Sequence, residues 1–391
     1  MPRQQYDGAL LSEPENGTGL TAKLYNHEEA IRDIIDYIVS FYNSQRLHSK
    51  PGYLPPNDYE RKMIDKQPIL APEKTWPLQM NNQPFIFNQL HIEVARNASD
   101  DFNLFHDKHK WLQIVHNPFK GPIVLGFQLN TLIEYQMRLY REAHHENKVI
   151  TENNLRFSNY QITFVNAVRP QIPVYLNIKK TLINTAPSLT LGNRIAMKSD
   201  GKTVLLGYKK ETQESLFLAD TKLDNLPDLD EVPDCTIVPG THYFLKRKYL
   251  NNGSVKNFLS GSFAEQSDYF DELRQIAQYP EIFPCSLSSG ALLEKAQLEN
   301  HDFKLNPMVY TSHEISVDRH YLSSIRNNEK LHILVDQLPE SSSNTLNQTN
   351  IMLRTYNCYG LLQNNVVLFR MTLNLVSLKD ILKNLSDQET N

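Results

Sequence analysis

An aspartate and a histidine lie five residues apart in this sequence, with an asparagine between them. Asp101 and His106 can meet at one point if the chain turns between them, and Asn103 falls within that turn. Aspartate and asparagine favour turns and helix caps, because their side chains bond to nearby backbone N–H groups. Carboxylate and imidazole are the groups that exchange protons most readily near neutral pH. The spacing therefore indicates a pair that could hold a water molecule and act on it as general base and acid.

A metal centre is the alternative chemistry for the same stretch. His106, His109, His116 and Asp107 carry groups that bind transition metals. They straddle a predicted loop, and no two of these histidines have the spacing of four that brings two imidazoles to one ion on a helix. We therefore predict that no metal binds here.

The composition limits the classes of protein to which the chain can belong. Its 391 residues are 40% hydrophobic, which suits folded cores, and carry a formal net charge of −4. Such a chain lacks an overall basic field, so binding of nucleic acid or of an anionic membrane is not expected. The first residues lack the apolar core of a signal peptide, and no apolar run approaches the ~18 residues that span a bilayer. We expect a cytoplasmic protein.

The cysteines and glycines narrow the choice of cofactor. Cys235, Cys285 and Cys358 show no Cys-x-x-Cys spacing, which predicts buried thiols in a reducing compartment. With only 14 glycines, the chain has no glycine-rich phosphate loop and no support for a dinucleotide fold. We expect no cofactor.

The elements that must position the Asp101 and His106 pair predict an antiparallel sheet curled around a helix. Beyond residue 84 the pattern predicts a short strand at Phe85, a helix over 90–106 and a long apolar helix over 121–140. Four strands are then predicted, at 155–164, 173–182, 193–197 and 204–211. One helix wrapped by a curled antiparallel sheet is the implied unit, and its exposed sheet edge calls for a second unit to cover it.

The second half of the chain repeats this order without clear residue identity. An acidic segment with three prolines, residues 221–240, reads as a linker. An apolar helix over 288–298 follows it, with Gly290 near its start. Strands are predicted near 309–317, 330–335, 351–359 and 366–376. No aspartate and histidine five apart precede this second helix.

A second motif follows the first and carries a family resemblance. Together the two motifs resemble those of the MaoC-like hot-dog hydratases and dehydratases, which read Gly-Asp-x-Asn-Pro-x-His and Gly-Pro-Ile-x-His-Gly. The residues kept in this chain are Asp101, Asn103, His106, Gly121, Pro122 and Gly126. The resemblance implies a hot-dog fold, in which a sheet wraps a central helix, and it extends more faintly over residues 85–380. The predicted fold class is α+β, with two hot-dog units after a short helical appendage.

The resemblance also implies a reaction. Asp101 and His106 would orient and activate water for addition to a trans-2-enoyl thioester of coenzyme A or acyl carrier protein. The backbone N–H of Gly126 would polarise the thioester carbonyl, since a helix N-terminus stabilises negative charge. Asn103 would hold the turn, and Gly121 and Pro122 would contact the substrate. The second unit would widen the acyl pocket, and pairing into a homodimer is an open alternative.

The chain departs from the family pattern at several positions. The substituted residues are Asp100 for glycine, Leu104 for proline, Leu125 for histidine, and Gln171 with Ile172 for a closing Gly-Asp. The apolar replacements favour a second hypothesis, a noncatalytic protein that binds acyl thioesters.

The N-terminal segment resembles a different family. Residues 27–43 have the spacing of an amphipathic helix, and "FYNSQRLHS" and "GYLPPNDYE" follow. Over about residues 22–66 these features resemble the C-terminal end of the integrase core of insertion-sequence transposases. That family uses three acids on two metal ions. Its two aspartates would lie before Met1, and only Glu13 or Glu15 stands near the third position. We interpret the segment as a remnant that is inactive in DNA integration, which leaves a transposase-related protein as a third hypothesis.

The predicted organisation has six parts. They are the remnant (1–66), a linker (67–84), the motif-bearing hot-dog unit (85–220), a linker (221–240), a degenerate hot-dog unit (241–380) and a tail (381–391).

Overall fold

A computed structural model describes residues 83–221, 223, 225–344, 350–379 and 382. The predicted transposase remnant and nearly all of the first linker lie outside these residues, so they stay predictions. In the part of the chain that is described, no helix combines the length and the apolar character needed to cross a membrane.

The described chain forms one large antiparallel sheet and a separate two-stranded hairpin. The strands alternate buried and exposed side chains, as in Thr190–Ser199, because one face of the sheet covers the core. The strands are β1 (Phe85–Ile86), β2 (Phe157–Phe164), β3 (Pro173–Ile178), β4 (Leu182–Asn184), β5 (Thr190–Ser199), β6 (Lys202–Thr212), β7 (Thr236–Ile237), β8 (Phe244–Leu250), β9 (Phe270–Asp271), β10 (Ile276–Ala277), β11 (Met308–Asp318), β12 (Glu329–Gln337), β13 (Ser341–Asn344), β14 (Asn350–Leu362) and β15 (Val366–Ser377).

The described residues also form six α-helices. They are α1 (Gln89–Ser99), α2 (Gly126–Ala143), α3 (Asn147–Glu152), α4 (Asn252–Gly261), α5 (Ile282–Leu298) and α6 (Arg319–Leu322). The long helices α2 and α5 pack against each other. Their apolar side chains join those of the sheet in one core that spans both halves of the chain.

The sheet order shows that the two halves mirror each other. The order is β1-β3-β5-β6-β2 in the first half and β11-β15-β14-β12-β8-β7 in the second. The halves join where β2 pairs with β11, with Tyr160 opposite Ile315. Each half therefore wraps five main strands around one long helix, and the predicted fold class, two hot-dog units of α+β type, is confirmed.

The segment between the halves packs on the second one. Leu229, Val232 and Val238 are buried against Leu245 and Leu334 of strands β8 and β12. This part of the predicted linker therefore forms a small core of its own on the outer face of the sheet.

Three helix boundaries differ from the predicted ones. The first helix ends at Ser99, not at residue 106, because Asp100 adopts a left-handed conformation with φ 54°. The helix predicted from residue 121 begins at Gly126, because the chain before it is extended and pairs through the N–H of Val124 with the carbonyl of Val168. Helix α5 begins at Ile282, so Gly290 lies at its middle and not at its start.

Candidate functional site

The turn after α1 positions the predicted aspartate. The N–H of Asp101 donates to the carbonyl of Arg96, and the Arg96 guanidinium donates back to the Asp101 carbonyl at 3.2 Å. The Asp101 carboxylate accepts the N–H of Asn103 at 3.0 Å. Asp101 is buried, with 4% of its surface exposed. The turn thus holds this carboxylate inside the protein.

Asn103 and Ile123 position the predicted histidine. The Asn103 side chain accepts the N–H of Phe105 at 3.1 Å and so begins a short 3-10 helix that ends at His106. The His106 Nδ1 lies 2.8 Å from the carbonyl of Ile123. A carbonyl only accepts, so Nδ1 carries the proton and Nε2 keeps its lone pair. His106 is therefore oriented as a base.

Burial sets the charge of His106. Removal from water lowers its pKa below the usual 6.5, while the charge of Asp101 and the bond to Ile123 act in the opposite direction. The imidazole is therefore neutral at pH 7.

His106 lies on the wall of a cavity of about 140 Å³, which Asn103 and Gly126 also line. Most of the remaining wall is apolar, and it includes Phe105, Phe119, Ile123, Val124, Leu129, Phe164, Val168, Met308, Val309 and Leu378. Three of the predicted site residues therefore share one cavity. Gly121 and Pro122 do not line it.

Asp101 lines a smaller neighbouring cavity of about 60 Å³. Asn103, Met308 and Tyr310 line both cavities and form the wall between them. The structure thus places Asp101 and His106 on opposite sides of this wall, near enough for the Asp101 charge to act on the imidazole. A volume of this size has room for ordered water beside polar groups.

The N-terminus of α2 opens at the larger cavity. Its N-cap residue is Leu125, which makes no side-chain bond to the first-turn N–H groups. These groups carry the positive end of the helix dipole. A Cβ on Gly126 would lie 3.0 Å from Cζ of Phe164 and 3.3 Å from Cε1 of His313. Glycine therefore allows two rings to pack directly against the start of the helix.

The second half contributes polar residues that the sequence analysis missed. The hydroxyls of Tyr310 and Ser289 lie 3.1 Å apart at the smaller cavity. Burial and the charge of Asp101 raise the pKa of Tyr310, so the phenol stays protonated. His313 is fully buried, and its Nδ1 lies 2.9 Å from the amide nitrogen of Asn130. Polar positions on the buried face of α2, such as Asn130, were the signal that could have indicated these partners.

The N-terminus of α5 has different surroundings. The Glu134 carboxylate of α2 accepts the N–H groups of Glu281 and Ile282 at 2.7 and 3.0 Å. Burial and the nearby Glu281 raise the pKa of Glu134 to about 8. Glu281 in turn is bonded to Ser158, Tyr160 and Arg319, and Lys209 lies 3.6 Å away. A buried charge network therefore occupies this end of the second helix.

Asp107, one of the residues considered as metal ligands, has other partners. Asp107 accepts a bond from Arg96 and the backbone N–H groups of His109 and Lys110. Within the described ranges, no three His, Cys, Asp or Glu residues are grouped so that they could hold a metal ion.

Comparison with known proteins gives likenesses of fold. No family model matches the sequence, and no curated protein matches it. A solved MaoC-like dehydratase is 9% identical, covers 76% of this chain and 96% of its own, and has a TM-score of 0.47. A conserved hypothetical protein of Mycobacterium tuberculosis with a double hotdog fold is 9% identical, with coverages of 79% and 97% and a TM-score of 0.46. An acyl-CoA thioesterase II of Mycobacterium marinum is 11% identical, with coverages of 57% and 80% and a TM-score of 0.36. No residue role is carried over from these likenesses.

Proposed function

We propose that the protein is a hydratase or dehydratase that interconverts a trans-2-enoyl thioester and its 3-hydroxy form. The observation that carries this proposal is the larger cavity, where a neutral His106 with a free lone pair and the uncapped start of α2 line one apolar space. An apolar chain, a base and a group that stabilises an oxyanion are what conjugate addition of water to a thioester requires.

In the proposed reaction the thioester carbonyl points at Gly126, and the acyl chain lies in the larger cavity. A water molecule beside His106 loses a proton to Nε2 of His106 as its oxygen attacks C3, and the charge of Asp101 acts on the imidazole across the wall between the two cavities. The electrons of the double bond move onto the carbonyl oxygen, where the N–H of Gly126 stabilises the enolate. The proton then returns to C2, so that one water molecule has been added in total.

The size of the cavity supports a short acyl chain. Its volume of about 140 Å³ is close to the ~150 Å³ of a protein cavity that holds one benzene molecule. We therefore propose a substrate with a short chain, such as a four-carbon enoyl group, on coenzyme A or acyl carrier protein. No metal or other cofactor enters this scheme.

The test is whether the protein hydrates crotonyl-CoA, and the reaction is measured as the loss of absorbance of the conjugated thioester. We expect Asp101→Asn and His106→Ala each to lower kcat by ~10²-fold or more, which is the usual effect of removing a positioned acid or base. The melting temperature should change little. Asp100→Asn is the matched control, because this neighbouring carboxylate has 68% of its side chain exposed and bonds to Lys248 instead.

A noncatalytic acyl-thioester binder is the second candidate. Leu125 favours it, since this buried apolar residue stands at the helix entrance and transfers no proton. In that case acyl-CoA raises the melting temperature, but no acyl length on either carrier is hydrated. If acyl-CoA has no effect on either measurement, the thioester assignment is wrong.

A further inference from the structure

His313 has an unpaired polar group in the interior. Its Nδ1 lies 2.9 Å from Nδ2 of Asn130, and an amide nitrogen only donates. The ring proton is therefore on Nε2. Among the described residues this N–H has no hydrogen-bond partner, although His313 is fully buried. A buried donor without a partner costs about 1–3 kcal/mol, so its presence needs a reason.

The ring packs against the end of α2 that opens into the cavity. Its Cε1, which lies between the two ring nitrogens, is the His313 atom nearest to where a Cβ of Gly126 would lie, at 3.3 Å, and the Phe164 ring separates His313 from the cavity. The ring stacks on Phe127 at 4.4 Å between centroids. It meets the edges of Phe164 and Tyr310 at 4.7 Å each, and these two side chains line the cavity.

We propose that His313 is a catalytic residue of the second half, which donates its Nε2–H to the thioester carbonyl oxygen beside the N–H of Gly126. The inference deepens the proposed function and rests on it. Two donors from different halves then stabilise the same developing negative charge. The Phe164 ring, which contacts both Gly126 and His313, moves aside to admit the oxygen.

A neutral imidazole suits this role. Burial lowers the pKa of His313 to about 3, so the ring carries no charge at physiological pH. A neutral Nε2–H in a buried site polarises a carbonyl, and its strength as a donor does not change over the pH range of the reaction. Asn130 maintains the tautomer by donating to Nδ1.

The experiment compares two ligands that differ only at the carbonyl. Butyryl-CoA has the thioester C=O and cannot be hydrated, whereas butyl-CoA is a thioether with CH₂ in its place. We expect His313→Phe, which keeps an aromatic ring against Phe127, to weaken binding of butyryl-CoA about 10-fold or less and to leave butyl-CoA unchanged. Turnover of crotonyl-CoA should fall ~10²-fold, as for loss of one oxyanion donor.

Two further variants separate catalysis from packing. His313→Gln retains an N–H donor and should restore part of the preference for the thioester over the thioether. Ile162→Val is the matched control, because Ile162 is equally buried and pairs with His313 across the seam of the two halves. It should leave the ratio of the two affinities unchanged.

If His313→Phe leaves the ratio of the two affinities unchanged, for example by weakening the binding of both ligands equally, the role of His313 is wrong. The proposed function is not affected by that result. The same holds if His313→Gln behaves like His313→Phe. If the wild-type protein binds neither ligand, the thioester assignment fails and this inference fails with it.

Discussion

The starts of the two long helices are equivalent places in the two halves, and their chemistry is opposite. At α5 the first N–H groups donate to a carboxylate of the protein, that of Glu134. At α2 the N-cap residue Leu125 makes no side-chain bond to the first turn, and Gly126 lines a cavity. The first N–H groups of a helix need acceptors in either case. The oxygens of Glu134 supply them in the second half, whereas the proposed function assigns that place in the first half to a ligand oxygen.

Each helix start also receives an aromatic side chain from the strand of the other half at the seam. Tyr160 of β2 bonds to Glu281 at the start of α5, and His313 of β11 packs against Gly126 at the start of α2. The first contact is part of an ion network with Lys209 and Arg319, and the second leaves a neutral donor unpaired. One architecture therefore holds a closed structural site at the start of α5 and, at the start of α2, an open site that we propose for chemistry.

Adding a methyl group at Gly126 is the largest test of this difference, and Gly290, at the middle of α5, is the glycine for comparison in the second half. We expect Gly126→Ala to lower kcat/KM by ~10-fold or more, because its Cβ meets Phe164 and His313 where the carbonyl oxygen is proposed to bind. Gly290→Ala should instead cost about 1–3 kcal/mol of stability, since its Cβ would lie 2.8 Å from the Asp100 carbonyl. Rates and melting temperatures of both variants provide the measurement.

The control for both substitutions is Gly121→Ala, since a Cβ there meets nothing within 4 Å. It should change neither the rate nor the melting temperature. If Gly126→Ala lowers only stability, the two helix starts do not differ in the way proposed.

Replacing the titratable carboxyl group of Glu134 tests the closed site through the pH dependence of stability. Its pKa is raised from 4.5 to about 8, so the folded protein holds a proton that the unfolded chain has lost between these values. The contribution of this group to stability is therefore complete below pH 4.5 and is lost as the pH rises through 8. We expect the melting temperature of the wild type, relative to that of Glu134→Gln, to fall as the pH rises from 5 to 9.

Glu142→Gln is the control, because Glu142 is an exposed residue of the same helix. The difference in melting temperature between the wild type and this variant should stay constant from pH 5 to 9. A parallel course for both variants would mean that Glu134 does not exchange its proton in this range.

The smallest effect concerns the open site and the pH dependence of its base. Because the pKa of His106 is lowered, kcat/KM should fall only at a pH below 6.5. The charge of Asp101 raises that pKa, so the residual activity of Asp101→Asn should decline at a lower pH than that of the wild type. Profiles of rate against pH for the two proteins measure the shift. A shift to higher pH would show that another group titrates.

Local patterns predicted a large part of this molecule. The strand periods, the apolar character of α2 and the second helix followed from the order of residues, because the strands bury one face and the two long helices are buried along most of their length. The turn at Asp101 and Asn103 was equally local, since both side chains bond to N–H groups two residues ahead. Boundaries were less certain, as at Ser99, where the left-handed Asp100 ends the helix that its neighbours would continue.

What the sequence by itself determined is the candidate pair, Asp101 and His106, and the presence of a long buried helix after it. Only the tertiary structure decided that His106 and Asp101 face two adjoining cavities, and that Glu134 closes one helix start. Asn130 and His313 meet although they are 183 residues apart in the chain. Their contact depends on the register of β2 against β11, which the packing of two halves selects and no local period encodes.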